Sequence, residues 1–213
     1  MVIPDVALRK RCHPPCLRFL VSDTMSCHTS GSVASGVRCL RYPGGAARYE
    51  GKWLNNQHHG FGVKATKRGL IYEGQWSKGQ RHGYGTLRRQ RESSQVCERI
   101  YVGQWQSDKR CGEGKQFYDD GSIYFGQWDL NQRHGRGIHW YSDGRIYIGE
   151  WQQDAMHGKG VLFSANGNRY VGEFEKGCKS GSGLYYHLDS SGQRVQLGNW
   201  MGDICKSSLM PLR

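Results

Sequence analysis

Residues 143–160 read DGRIYIGEWQQDAMHGKG, and the same frame returns throughout the chain. Tyr-x-Gly-x-Trp followed by Gly-x-Gly begins with YEGKWLNNQHHGFG from Tyr49, YEGQWSKGQRHGYG from Tyr72 and YVGQWQSDKRCGEG from Tyr101. It continues with YFGQWDLNQRHGRG from Tyr124, YIGEWQQDAMHGKG from Tyr147 and YVGEFEKGCKSGSG from Tyr170. In every copy the Tyr stands 11 residues before the first Gly of Gly-x-Gly, and successive Tyr residues are 23, 29, 23, 23 and 23 apart. A period of this kind constrains the fold more than any single motif. Each unit is one supersecondary element that buries its apolar face only by stacking on its neighbours. HGKG alone could pass for a Gly-rich loop carrying a catalytic His, but an active site does not recur in tandem in a chain this short.

The unit reads as a β-hairpin. Tyr, Gly and Trp alternate with period 2, so they share one face of a strand. The small Gly leaves room for an aromatic from the adjacent strand to lie over the backbone. A polar six-residue connection follows, and Gly-x-Gly is expected to open the second strand, as in GIHWY at 137–141. Asp120-Gly121, Asp143-Gly144 and Asn166-Gly167 then supply hairpin turns into the next unit. The fold class is therefore all-β: an elongated, single-layer antiparallel meander of stacked hairpins. Some 13–14 strands at about 4.8 Å give a sheet on the order of 65 Å long. Strand twist makes it a gently curved trough.

Composition agrees with a thin sheet. The hydrophobic fraction is 37%, below the roughly 45–50% of ordinary globular chains. Twelve Tyr, seven Trp and six Phe supply the apolar surface, with 31 Gly between them. The repeat array is assigned to residues 36–206. GVRCLRY at 36–42 resembles the second strand of a lost upstream unit and is expected to cap the first hairpin. A degraded seventh unit near Gly198 has Gln196 at the Tyr position but keeps Trp200. Residues 1–35 read as an irregular or disordered N-terminus and 207–213 as a tail.

This pattern closely resembles the MORN repeat family, cleanly over 49–183 and loosely over about 36–206. Phe174 at the sixth Trp position and the broken seventh unit depart from it. The resemblance implies an elongated β-sheet scaffold acting as a non-catalytic adaptor for protein partners. Phosphoinositide binding is the other role attached to such repeats. For a stand-alone chain it implies a cytoplasmic place in ciliary, flagellar or sperm structures, including the acrosome.

Two sets of residues are the candidate sites. The aromatic face offers a partner-binding groove with Tyr72, Trp76, Tyr101, Trp105, Tyr124, Trp128, Tyr147, Trp151 and Tyr170 as anchors. The same rings also serve as core. A single-layer sheet cannot bury both faces by itself, which argues for a partner. The connections carry Arg81, His82, Lys109, Arg110, Arg133 and His134 just before Gly-x-Gly. Stacked in register, these form a basic edge that could hold anionic phospholipid headgroups or an acidic protein. They serve equally as solvated charges that block edge aggregation.

The net charge of +12 suits acidic partners, and +8 of it lies in residues 42–213. Nothing points to an enzyme, a cofactor or a small-molecule substrate, because no convergent Ser/His/Asp, Cys/His or paired-carboxylate group stands apart from the repeat. Nucleic acid is not an expected partner, since the aromatics hold structural positions. His residues at one repeat position lie about 9–10 Å apart, whereas zinc ligands converge within about 2 Å of the metal. No metal site is therefore expected there. Cys12, His13, Cys16, Cys27 and His28 have zinc-ligand types at untidy spacing. The eight Cys read as free thiols of a reducing compartment. No segment approaches the roughly 18 apolar residues of a membrane helix, and no secretory or transit signal is evident, so a soluble intracellular protein is expected. The insertion at 88–99, with Ser93 and Ser94 behind basic residues, is either a partner-specific protrusion or a tolerated loop.

Overall fold

The structure, a computed structural model, describes residues 35–42, 47–91, 96–189 and 192–209. The chain divides into two units, Met1–Ser32 and Val33–Arg213, and the described residues belong to the second. The Cys and His cluster of the N-terminal segment and the Ser93–Ser94 pair lie outside the described residues.

Among the described residues there is one antiparallel sheet of 15 strands, each paired with its neighbours in sequence. The first strands are β1 (Gly36–Arg41), β2 (Arg48–Leu54), β3 (Gln57–Ala65), β4 (Leu70–Ser77) and β5 (Gln80–Gln90). The middle is β6 (Cys97–Gln106), β7 (Lys109–Phe117), β8 (Ile123–Asp129), β9 (Gln132–Trp140) and β10 (Ile146–Gln152). The last are β11 (Ala155–Phe163), β12 (Arg169–Glu175), β13 (Cys178–Asp189), β14 (Gly192–Met201) and β15 (Ile204–Leu209). The all-β hairpin meander of the sequence is thus present. β1 caps β2 with Leu40 opposite Tyr49, and the degraded seventh unit forms the β14–β15 hairpin.

Turn chemistry differs from the sequence expectation. The polar connection is not a six-residue loop. It is a two-residue turn, after which the second strand has already begun. Ser107-Asp108, Leu130-Asn131 and Gln153-Asp154 all have positive φ at both positions, for example 47° and 73° at Leu130 and Asn131. This is the type I′ geometry that matches strand twist. The Asp-Gly pairs instead sit in longer loops at the opposite edge, where Tyr118 N–H donates to Ser122 O and Gly121 N–H to Tyr118 O. These pairs do carry the chain into the next unit, as expected, but in longer loops, while the two-residue turns fall within the polar connection.

Leu130 has no Asn or Gly chemistry to ease its left-handed backbone, and its side chain is exposed. Leu130→Asn is expected to raise stability by about 0.5–1 kcal/mol, because the strained conformation is less costly for Asn and no packing is lost. A urea midpoint unchanged or lowered by the substitution would contradict this account of the turn.

Gly-x-Gly lies inside the second strand, not at its start. The pairing of β8 with β9 slips between Gly126 and Trp128, so Gln127 faces a bulge that contains Gly135 at φ 58°. A side chain there would be strained, which explains the first Gly. Gln127 Oε1 accepts the Arg136 N–H at 2.8 Å and so closes the bulge. Gln75 and Gln104 do the same for Tyr84 and Glu113.

The core occupies one face of the sheet, here termed the ladder face. Each repeat Tyr folds over the Gly pair of its own hairpin and donates its hydroxyl to the carbonyl three residues on, as Tyr124 does to Gln127 O at 2.9 Å. The ring over the glycines therefore comes from the same strand, not the adjacent one. Trp76, Trp105, Trp128 and Trp151 then each stand edge-on between two Tyr rings. Trp128 meets Tyr124 at 5.2 Å and Tyr101 at 5.6 Å, and its indole N–H reaches Gly114 O of the preceding hairpin. The T-shaped chain runs on through Tyr147, Phe174, Tyr170 and Trp200 without a break. Phe174 keeps the ring packing and forgoes only the indole hydrogen bond.

Candidate partner-binding surface

The nine rings expected to line an open groove are sealed in the chain itself. Tyr101, Tyr124, Tyr147 and Tyr170 are 0% exposed, and Tyr72, Trp76, Trp105, Trp128 and Trp151 reach only 4–5%. Edge-to-face rings in every repeat cover one another's surface, leaving none free to anchor a partner. A ligand on the ladder face would instead touch what lies over and beside the rings. Leu87, Tyr118, Tyr141, Leu162 and Tyr185 pack against the ladder and remain half-buried.

The proposed basic edge also divides. Arg81, Arg110 and Arg133 fall on the ladder face, where each guanidinium lies 4.2 Å from the ring centroid of the next repeat's Trp: Trp105, Trp128 and Trp151. Each also grips the following turn. The Arg133 backbone N–H and Nε both donate to Asp154 Oδ1 at 3.0 Å, and Nη2 donates to Asp154 O at 2.7 Å. Arg81 repeats this on Asp108 and Arg110 on Asn131. Lys179 repeats part of it on Asp203, with its ammonium 5.2 Å from the Trp200 ring. His82, Lys109 and His134 alternate onto the other side of the sheet, here the back face, and are exposed.

These arginines are staples between hairpins, and their side-chain donors are committed. The sequence carries a signal for this that motif reading missed. Where the second turn residue is Asp or Asn (108, 131, 154, 203), the preceding hairpin offers Arg or Lys. Where it is Gly (79, 177), the same position holds His58 or Met156, and only a backbone bond to the turn remains. Replacing Arg133 by Ala is expected to cost about 1–2 kcal/mol, combining a desolvated stacking contact with charge-assisted bonds. Chemical denaturation in low and high salt tests this. A loss that vanishes in high salt would reduce the staple to a screened surface ion pair.

Two histidines on the ladder face are buried neutral. Burial is the main force pushing His139 down to about 4, aided by the Arg133 guanidinium. Arg133 Nη1 lies 3.1 Å from His139 Nδ1, so Nδ1 accepts and the proton sits on Nε2, which has no hydrogen-bond partner. His58 is likewise pushed down to about 4, first by burial and then by Lys64. It stacks 3.8 Å from the Tyr49 ring and pairs with the Tyr42 hydroxyl at 2.9 Å.

Both histidines are depressed below their unfolded value near 6.5. The unfolded chain therefore binds more protons between about pH 6.5 and 4. Their contribution to stability is full above 6.5 and is lost as pH falls toward 4. Thermal melts at pH 7.5 and 5 should show this loss, and His139→Gln should make the decline shallower. An equally steep decline in that variant would remove His139 as a cause.

Cys111 and Cys178 lie within β7 and β13. Cys39, Cys97, Cys111, Cys178 and Cys205 are free thiols. Burial raises the Cys111 thiol, and the Asp203 carboxylate raises Cys178, so neither is activated as a nucleophile.

Comparison with known proteins fits this geometry. The MORN repeat family matches residues 49–66, 72–90, 101–123, 124–144, 147–169 and 170–189. These six stretches are the Tyr-led hairpins of the ladder. No curated protein matches the chain.

Proposed function

The chain belongs to the MORN repeat family, and from that premise we propose that it is a non-catalytic scaffold binding protein partners along its ladder face. One observation carries this reading. The described residues form a single layer, and only individual side chains lie over the aromatic ladder. Half-buried Tyr118, Tyr141, Leu162 and Tyr185 lie there among the Arg and Lys staples, a surface suited to a segment with apolar side chains. The tandem ladder sets such anchors at regular intervals, as an adaptor requires. The long interval LRRQRESSQVCERIY after the second repeat and the late YYHLDSSGQ look similar to MORN repeat-containing protein three, and that likeness supports placing the scaffold in a cytoplasmic ciliary, flagellar or sperm assembly, including the acrosome.

Substituting Tyr118 and Tyr141 by Ala, with folding checked by circular dichroism, tests the surface while sparing the sealed rings. Affinity capture that loses specific protein partners in this variant supports ladder-face binding. Partners retained at wild-type level would exclude the face.

A second reading is a peripheral protein binding anionic phospholipids at the turn edge, favoured by the net charge of +12 and exposed His82, Lys109 and His134. The staple arginines add little to it, since their donors are engaged. Vesicle binding that rises with phosphoinositide content and falls when these three residues become Ala would support it. Binding indifferent to phosphoinositide content would end it.

A further inference from the structure

Two aromatic side chains on the back face stand in water, and the repeat does not require them there. Phe61 is 61% exposed and Tyr84 57%. Each is the middle residue of its Gly-x-Gly, a position that becomes Glu113, Arg136 and Lys159 in the next three repeats. Strand pairing fixes where they lie. Gly51, Gly62, Gly74, Gly85, Gly103 and Gly114 oppose one another in a continuous row across β2–β7. Lys52, Phe61, Gln75, Tyr84, Gln104 and Glu113 each stand one residue from that row, on the side of the two-residue turns, and alternate onto the back face. Phe61 and Tyr84 are therefore two strands apart in one strip, about 9.6 Å. An open groove of about 410 Å³ runs beside Tyr84, lined by Gln75, His82, Gln104 and Cys111.

The spacing of the rings and the polar groups between them select the occupant. A polyproline II helix repeats every three residues at about 3.1 Å each, so its residues i and i+3 are about 9.3 Å apart and meet rings two strands apart. An extended strand puts same-side residues about 6.8 Å apart, out of step with the rings. An α-helix reaches about 10.5 Å in seven residues, and hydrogen bonding decides against it. Gln75 Oε1 accepts the Tyr84 N–H at 2.8 Å, and Gln104 Oε1 accepts the Glu113 N–H at 3.2 Å. Each carboxamide is pinned by its oxygen, and its NH2 group has no partner among the described residues. A polyproline II chain makes no internal hydrogen bonds, so its carbonyls can accept from these groups, whereas a helix has satisfied its own. Proline packed on aromatic rings is how such chains are held. Charge sets the ends of the strip. Lys52 on β2 and Glu113 on β7 form no ion pair among the described residues. They are five strand spacings apart, about 24 Å, or about eight steps of polyproline II. The complementary ligand carries an acidic residue at one end, a basic residue at the other and prolines three apart between them.

We propose that this strip is a docking site for a proline-rich, polyproline II segment of a partner protein, lying across β2–β7 with prolines on Phe61 and Tyr84. The site goes beyond the ladder-face reading, uses the opposite side of the sheet and does not depend on it.

Fluorescence anisotropy of labelled peptides titrated with the full chain tests the proposal. One probe is Asp-Pro-Pro-Leu-Pro-Pro-Leu-Pro-Arg, and a second has the same residues in reverse order, because a polyproline II chain can lie either way. At least one should bind saturably in the micromolar range. Phe61→Ala and Tyr84→Ala, both at exposed positions and checked for folding by circular dichroism, should each weaken it at least about tenfold. One Gly inserted between the two Pro-Pro-Leu units breaks the three-residue phase and should weaken binding as much. The ladder-face variant with Ala at Tyr118 and Tyr141 should bind the probe as the wild type does, which separates this site from that surface. Neither peptide binding more tightly than about 1 mM would overturn the proposal. So would wild-type affinity in both single variants, or indifference to the inserted Gly. A thymine oligonucleotide that binds more tightly than either peptide, and is lost with Tyr84→Ala, would reassign the rings to base stacking.

Discussion

Gly126→Ala should lower the stability of the repeat array by about 3 kcal/mol, at the upper end of the range for overpacking a filled site. A Cβ at Gly126 would come within 2.5 Å of Gly137 Cα, 2.6 Å of Arg136 O and 2.6 Å of the Tyr124 hydroxyl. The first two are backbone atoms of the paired strand, and they cannot rotate away. Relief requires opening the β8–β9 pairing, which also loosens the bulge closed by Gln127. Gly121→Ala is the control. Its site has open space, so only its positive φ of 87° costs stability, about 1 kcal/mol. Urea unfolding followed by Trp fluorescence compares the two. Equal losses at Gly126 and Gly121 would mean that close backbone approach does not decide the second-strand glycines. Long repeat arrays can unfold in steps, so the transition should be read at more than one wavelength.

Tyr124→Ala should remove about 3–5 kcal/mol, the range for deleting a buried aromatic side chain. The ring is fully buried and meets Trp128 at 5.2 Å and Trp151 at 5.3 Å, so its loss bares two indoles and the glycines beneath. Tyr124→Phe isolates the hydroxyl, whose bond to Gln127 O is worth about 1 kcal/mol net. Differential scanning calorimetry of the three proteins gives both terms. If Phe costs as much as Ala, the hydrogen bond rather than ring packing holds the repeats together. If neither changes the transition, the ladder is not the core. One consequence concerns partner mapping. Alanine at two ladder tyrosines would disrupt the sheet, so binding lost in such a variant says nothing about where a partner sits.

Much of the architecture was legible because the chain repeats itself. One hairpin read correctly is six read correctly, and alternation in Tyr-x-Gly-x-Trp assigns the face without reference to any neighbour. β1 was legible for the same reason: 36–42 has the look of a second strand with no first. The turns were not. Leu130 and Gln153, at the first turn position, adopt left-handed backbone that such residues rarely take, because strand twist selects the turn and local propensity yields. The candidate sites were read less well. Tyr and Trp were expected to be both anchor and core. Only the packing distances show that they satisfy each other and leave no ring surface for a partner.

The sequence by itself determined the period, the hairpin unit, the antiparallel order and the aromatic face. Each of these follows from local alternation and from the impossibility of burying one hairpin alone. Tertiary structure decided which charges are free and which apolar rows are adjacent. Each Gly-x-Gly bulge shifts the pairing between neighbouring strands, and that shift cannot be counted from residue spacing. Once the bulges set the register, Arg133 lands over the Trp151 indole while His134 turns to the other side. By the same register, Phe125, Ile138, Ile148 and Val161 fall in one row across four strands. Burial and alignment belong to pairs of strands, and a single strand's sequence does not hold them.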